Sequence, residues 1–187
     1  MSLDDAAVLK PGTGYIYLAA PDTEKPDVVD PLDPGGDWTN LGHTSLENGV
    51  EFGRDGDDPE PLGSWQTPVL RETDPSVTYS LTMNALQASP TIYQLYFGGG
   101  PEQMQADGSF RIPARPTPQV KALLLVVVDG SAFLPLWHPR VSILGSDAVT
   151  LDPTTLAEFP IRARFLGSSL LDGDLGEWAV LSTSVSS

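Results

Sequence analysis

Apolar and polar residues alternate most regularly between Val77 and Ala85. Val77, Tyr79, Leu81, Met83 and Ala85 take one parity, and Thr78, Ser80, Thr82 and Asn84 take the other. Side chains of a strand point to opposite faces in turn, so the spacing predicts a strand with one face on a core and one wet face. Antiparallel sheets accommodate such two-sided strands. The wet parity of this segment carries hydroxyls and an amide but no lysine or arginine. Ile161, Ala163 and Phe165 alternate with Arg162 and Arg164 in the same manner. Gly12 to Ala19, "GTGYIYLA", predicts a first strand, and "RVSILG" and "DAVTL" predict further ones. The run Ala122 to Val128, "ALLLVVV", predicts a buried strand entering a turn at Asp129–Gly130. "GSWQTPVLRE", Gly63 to Glu72, is a plausible partner for the alternating strand, with Pro68 placing it at an edge or bulge.

Only one stretch has helical spacing. Ser89 can cap, Pro90 suits the first turn, Ile92, Leu95 and Tyr96 share a face, and Gly98 to Gly100 end it. Two stretches have no period at all. Ala20 to Asp37 holds four prolines, which suits neither helix nor inner strand. A connector that long is often functional, or ordered only when a partner arrives. Gly53 to Gly63 is a Gly/Pro/Asp tip that should project from the body. The expected architecture is all-β, a sandwich or barrel of roughly eight strands with one short flanking α-helix. One domain is expected over residues 1–187, with long loops at 20–36 and 53–63 and a C-terminal segment, 168–187, of unassigned role. The last six residues, "STSVSS", are expected to be loose.

Charge sharpens the picture. The chain has 187 residues and a net charge of −15. Residues 20–60 carry twelve acids against Lys25 and Arg54, whereas residues 61–187 carry eleven against seven bases. A field of this sign repels nucleic acid. There is no cysteine, which removes disulfides and thiolate chemistry. The N-terminus lacks the pattern of a signal peptide, and the longest apolar run is far shorter than the roughly 20 residues a spanning helix needs. No membrane insertion by the chain itself is expected.

Candidate chemistry adds little. His43 and His138 have no ligand-like spacing, so His43 reads as a turn residue and His138 as an extended residue before a proline. No GxSxG or GK[ST] motif occurs. Asp55, Asp57, Asp58 and Glu60, and separately Asp172, Asp174 and Glu177, could suit a calcium ion, but neither run has the EF-hand order. Trp38, Trp65, Trp137 and Trp178 read as core or interface packing. The residues therefore suggest no catalytic, cofactor or metal site. A carbohydrate- or calcium-binding β-sandwich module stays open as an alternative, as does an enzyme using dispersed carboxylates.

The ordered series "GDWTNLGHTS", "FGRDGDD", "LGSWQTPVLRE", the alternating strand, "LYFGGG" and "ALLLVVVDG" resembles the major tail tube proteins of long-tailed, non-contractile bacteriophages, especially those of actinobacterial hosts. The similarity spans roughly Gly12 to Leu166. It implies a structural protein of the virion tail, made in the host cytoplasm, with a β-sandwich and a flanking helix. It further implies six-membered rings whose inner sheets join into one barrel and stack into a tube. That tube would house the tape-measure protein, meet the tail terminator and distal tail proteins, and conduct double-stranded DNA into the host. A tail terminator or head–tail connector ring is the alternative within the virion. On this reading Thr78, Ser80, Thr82 and Asn84 are candidates for a lumen-facing strand. Asp55, Asp57, Asp58 and Glu60 are candidates for a loop between subunits or rings. Trp38, Asn40, His43 and Thr44 then make shape rather than chemistry.

Overall fold

The computed structural model describes residue 3 and residues 7–27, 30–74 and 76–181. Among the described residues there are ten strands: β1 (Thr13–Ala19), β2 (Thr39–Asn40), β3 (Val50–Gly56), β4 (Pro61–Leu62), β5 (Arg71–Glu72), β6 (Val77–Ala85), β7 (Gln119–Asp129), β8 (Ala132–Gly145), β9 (Phe159–Phe165) and β10 (Glu177–Trp178). One α-helix, α1 (Pro90–Phe97), follows β6. The main sheet runs β2-β1-β7-β8-β9-β6-β3, with β10 added to β8, and β4 pairs only with β5. Every pairing is antiparallel. The all-β expectation with one short helix holds.

The two ends of that sheet are one continuous stretch of chain. Asn40 pairs with Tyr17 of β1 and the Leu41 amide donates to the Ile16 carbonyl. Four residues on, the Ser45 amide donates to Asn84 and the His43 carbonyl accepts from the Leu86 amide, so Thr44 bridges to Ala85 of β6. "TNLGHTS" is thus a seam that closes the sheet on itself. Asn40 holds the turn by accepting from the Gly42 amide, and Gly42 needs its positive φ of 102° there. His43 serves through its backbone, in keeping with a turn residue.

Inside lie Ile16 and Leu18 of β1, Leu81, Met83 and Ala85 of β6, Leu123 and Leu125 of β7, Val141 and Ile143 of β8, and Ile161, Ala163 and Phe165 of β9. Ile92 and Leu95 of α1 plug one end. The helix starts where Ser89 accepts from the Ile92 amide, and stops at Gly98, whose φ is 67°. "ALLLVVV" lacks alternation because both its faces are covered. Leu123 and Leu125 face the core, while Leu124 and Val126 pack outside with Tyr17, Phe133 and Trp137. That outer layer is roofed by Trp38 and Leu171. The Ala20–Asp37 loop is anchored over it within the single subunit. The Tyr17 hydroxyl donates to the Pro31 carbonyl, Asp22 accepts from Arg140 and from the Ser168 hydroxyl, and Lys25 pairs with Glu177.

Three sequence expectations are corrected. Gly63–Glu72 is not the partner of β6, which lies between β3 and β9. "VEFGRDG" has that place, so the strand continues through Gly53, Arg54 and Asp55 and the projection begins at Asp57. "DAVTL" is not a strand, because β8 and β9 pair directly and leave it no edge. Asp147 and Asp152 instead bond the amides of Ala148 and Thr154 in local turns. The tail "STSVSS" lies outside the described residues.

Candidate functional site

Beyond Gly56 the chain leaves the body as an arm. Residues 57–72 and Asp74 are all exposed and Thr73 is half-buried. Two residue pairs, Pro61 with Glu72 and Leu62 with Arg71, make its ladder. The Glu60 and Thr73 amides tie its base by bonds to Thr73 Oγ1 and the Glu60 carbonyl, and Ser64 and Thr67 bond across its tip. Of the four acids named from sequence, Asp57, Asp58 and Glu60 lie at this base, whereas Asp55 belongs to β3, opposite Thr78. The arm also presents Leu62, Trp65, Val69 and Leu70 to water, with Trp65 at 101% of full exposure. A two-stranded hairpin alone is marginal in water, and none of the arm's described residues is buried.

The polar parity of β6 continues across its neighbours. Directly opposed residues share a face, which sets Glu51, Thr82 and Arg162 in one row and Gly53, Ser80 and Arg164 in the next. Asp55 and Thr78 form a third. Thr78 is exposed and Thr82 and Asn84 are half-buried. Ser80 is 3% exposed, shut under its neighbours, and a Cβ at Gly53 would lie 2.9 Å from its hydroxyl. Although β6 itself has no cation, Arg162 and Arg164 stand exposed on the same face, with Glu51 and Asp55 on its other flank. The face has mixed charge, a property of cross-strand neighbours that one strand's sequence does not reveal.

The family described as "Phage tail tube protein" matches residues 1–184. The chain belongs to the phage tail tube protein family. It is similar to the "Major tail protein Gp23" of Mycobacterium phage D29 and to that of Mycobacterium phage L5, each 33% identical over 178 residues, covering 89% of this chain and 88% of the relative. This tail tube protein is therefore a structural, non-enzymatic virion component of the tail that self-assembles into a tube. No helix among its described residues is long and apolar enough to cross a membrane.

Two polar clusters hold the tail tube subunit in shape. At the seam, Glu158 accepts from the Ser45 hydroxyl at 2.6 Å, from Asn48 at 2.8 Å and from Asn84 at 2.6 Å. The Ser45 bond, with those of Asn48 and Asn84 beside it, holds the carboxyl below its ordinary 4.5 despite partial desolvation. A depressed carboxyl gives stability that is present above its unfolded value and lost as pH falls through the folded one. Because the group is mostly solvated, Glu158→Gln should cost only about 1 kcal/mol at neutral pH. That corresponds to a melting point lower by roughly 2–4 °C, measurable by circular dichroism.

The second cluster fastens the C-terminal segment. His138, 3% exposed, stacks on Phe165 with centroids 3.8 Å apart. Its Nδ1 is 3.0 Å from the Leu175 carbonyl, which can only accept, so Nδ1 carries the proton and Nε2 accepts from Trp178 Nε1 at 3.3 Å. Trp178 meets Phe52 edge-on at 4.6 Å. His138 does precede a proline in an extended strand, but it is also the buckle of a clasp, which the sequence did not indicate. Among the described residues no three His, Cys, Asp or Glu side chains converge as metal ligands. Asp174 and Glu177 belong to this clasp.

Proposed function

We propose that the subunit, as one domain, forms six-membered rings that stack into a hollow tube around the tape-measure protein and later conduct double-stranded DNA. The observation that carries this reading is the arm: a long excursion between β3 and β6, all but Thr73 of its described residues exposed, on a member of a tube-forming family. Its apolar side chains gain a place only by contact with another copy, ring to ring or within one ring. Tail terminator and distal tail proteins then meet the tube's two ends.

The β3–β6–β9 face is the candidate bore wall, with Thr78, Thr82 and Asn84 as its polar inner strand and Ser80 behind it. Arg162 and Arg164 are offset there by Glu51 and Asp55. Adjacent strands are about 4.8 Å apart and same-face neighbours along a strand about 6.8 Å, so Arg162 has Glu51 about 10 Å across its row and Arg164 has Glu51 and Asp55 about 12 Å away on the diagonals, against a Debye length of about 8 Å at physiological salt. Passing phosphates would meet a wall without a large single-sign field, and the subunit's net −15 lies mainly elsewhere.

Negative-stain microscopy of concentrated protein tests the reading. Uniform hollow tubes with sixfold end-on views are expected. Discrete single rings would replace it with a terminator or connector, and a protein that stays monomeric at every concentration would overturn it.

A further inference from the structure

The seam closes the barrel at one end only. Below it, Thr13–Tyr15 of β1 bond to β7 on one side, β3 bonds to β6 on one side, and among the described residues neither has a strand on the other. Between them is an opening of about 580 Å³. Leu125, Val127, Leu134 and Leu136 make its floor, and Phe52 and Trp178 one end. Two free backbone edges over an apolar floor suit an extended polypeptide carrying a large apolar side chain, since the edges offer a ladder and the floor a pocket.

We propose that this slot receives the arm of a second copy, with Trp65 as the anchor seated on the floor; the inference rests on the tube-subunit reading. The arm is the extended segment in this chain that exposes such a side chain and packs on nothing of its own. It cannot serve its own slot as the chain is folded. The slot is bordered by Gly49–Phe52, and β3 carries the chain about 14 Å further, to Gly56, before the arm begins.

Charge favours one orientation. The β1 border carries Lys10 beside Asp129, whose carboxylate accepts from the Lys10 amide, and the β3 border carries Glu47 and Glu51. The arm has Asp57, Asp58 and Glu60 on its first limb, and Arg71 against Glu72 and Asp74 on its second. Laying the more acidic first limb along β1 sets fewer like charges together than the reverse. Donor and receptor are different surfaces, so each copy gives once and takes once. Such a contact makes rings if its rotation closes and filaments if it does not.

Because the chain has no cysteine, single introduced thiols report the contact directly. Ser64→Cys places one beside the anchor, Leu46→Cys one at the slot, and Val8→Cys one near the amino-terminal segment. Under oxidation at assembling concentration, mixing Ser64→Cys with Leu46→Cys should give a linked dimer that neither variant gives alone. Trp65→Ala introduced into the Ser64→Cys protein should abolish the link, and Trp65→Phe should keep it. In the otherwise native chain, Trp65→Ala should raise the concentration needed for assembly by roughly tenfold or more, as loss of a central aromatic anchor does. Tubes that form normally without this link, or with Trp65→Ala unchanged from wild type, overturn the slot and leave the tube reading standing. A link from Leu46→Cys to Val8→Cys in place of Ser64→Cys gives the slot to the amino-terminal segment and also overturns the proposal. The expected link in a protein that makes no tubes supports the contact and overturns the tube.

Discussion

A subunit whose residues 57–76 are replaced by an Asn-Gly turn melts within about 2 °C of the parent and builds no tubes. The folded half of this expectation follows from pairing. Gly56 and Val77 are the last partners of the β3–β6 ladder, and a two-residue turn with positive φ joins antiparallel strands at that point. Little is lost from the body, because nearly every described residue removed is exposed and the bonds at the arm's base and tip are its own. The assembly half follows from the same facts, since a segment that contributes nothing to its own fold leaves its apolar surface for another copy. Circular dichroism and microscopy read the two halves separately. Tubes from the shortened protein would remove the arm from the assembly, and a large drop in melting point would mean that the arm supports the body. Cutting Asp55–Glu60 is a poorer experiment, because Asp55 and Gly56 are ladder residues opposite Thr78 and Val77.

The second large effect is acid release of the C-terminal clasp. Burial pushes the His138 imidazole below its ordinary 6.5, and the bond to the Leu175 carbonyl offsets this in part. The unfolded chain therefore binds a proton at a pH where the folded chain does not. Stability from this site is complete above 6.5 and is lost as pH falls toward the folded value, with a slope approaching about 1.4 kcal/mol per pH unit. Between 6.5 and 4.5 this loss precedes that of Glu158, whose ordinary value is 4.5. The cleft beside the ring carries one cation, Arg54, and one carboxylate, Asp174, with Tyr79 between strands and Arg140 further along β8, so no excess of negative charge rescues the imidazolium. Protonated Nε2 would face the Trp178 N–H donor to donor. Trp178 should then leave Phe52, with a fluorescence change as pH falls below 6.5 that His138→Gln removes. Gly176→Ala should unseat the clasp at every pH, because a Cβ there would lie 2.3 Å from His138 Nδ1 and 2.6 Å from the Trp137 carbonyl. An unchanged fluorescence profile in His138→Gln would refute the buckle.

Where local chemistry decides structure, it was legible. The alternation of Val77–Ala85 and Phe159–Phe165, the Ser89 cap and the buried Ala122–Val128 strand all appear as read, although burial of that strand on both faces was not. The first half of β8 was hidden by Pro135 and Pro139. Prolines argue against an inner strand, but Lys121 pairs with Val141 and Leu123 with His138, so Pro139 and Arg140 together oppose Ala122 in a bulge that needs no proline N–H. "GRDG", Gly53–Gly56, looked like a loop because glycines and charges are poor strand formers, yet its edge position and the neighbouring β6 override propensity. The arm was legible as a projection but the exposure of its Trp65 was not, since nothing local distinguishes an exposed tryptophan from a packed one. The clasp and the Arg162–Arg164 flank depend on contacts between distant segments, which spacing along one chain cannot express.

The pairing of β1 sets a timetable for synthesis. Thr13–Ala19 finds its first long partner in Ala122–Val128, about 100 residues later, and at 5–20 residues per second that is a wait of roughly 5–20 s on the ribosome. Until then the border that β1 gives to the receiving slot does not exist, while the arm has already emerged. On the proposed contact, nascent chains could offer but not accept, which would confine polymer growth to finished, released molecules.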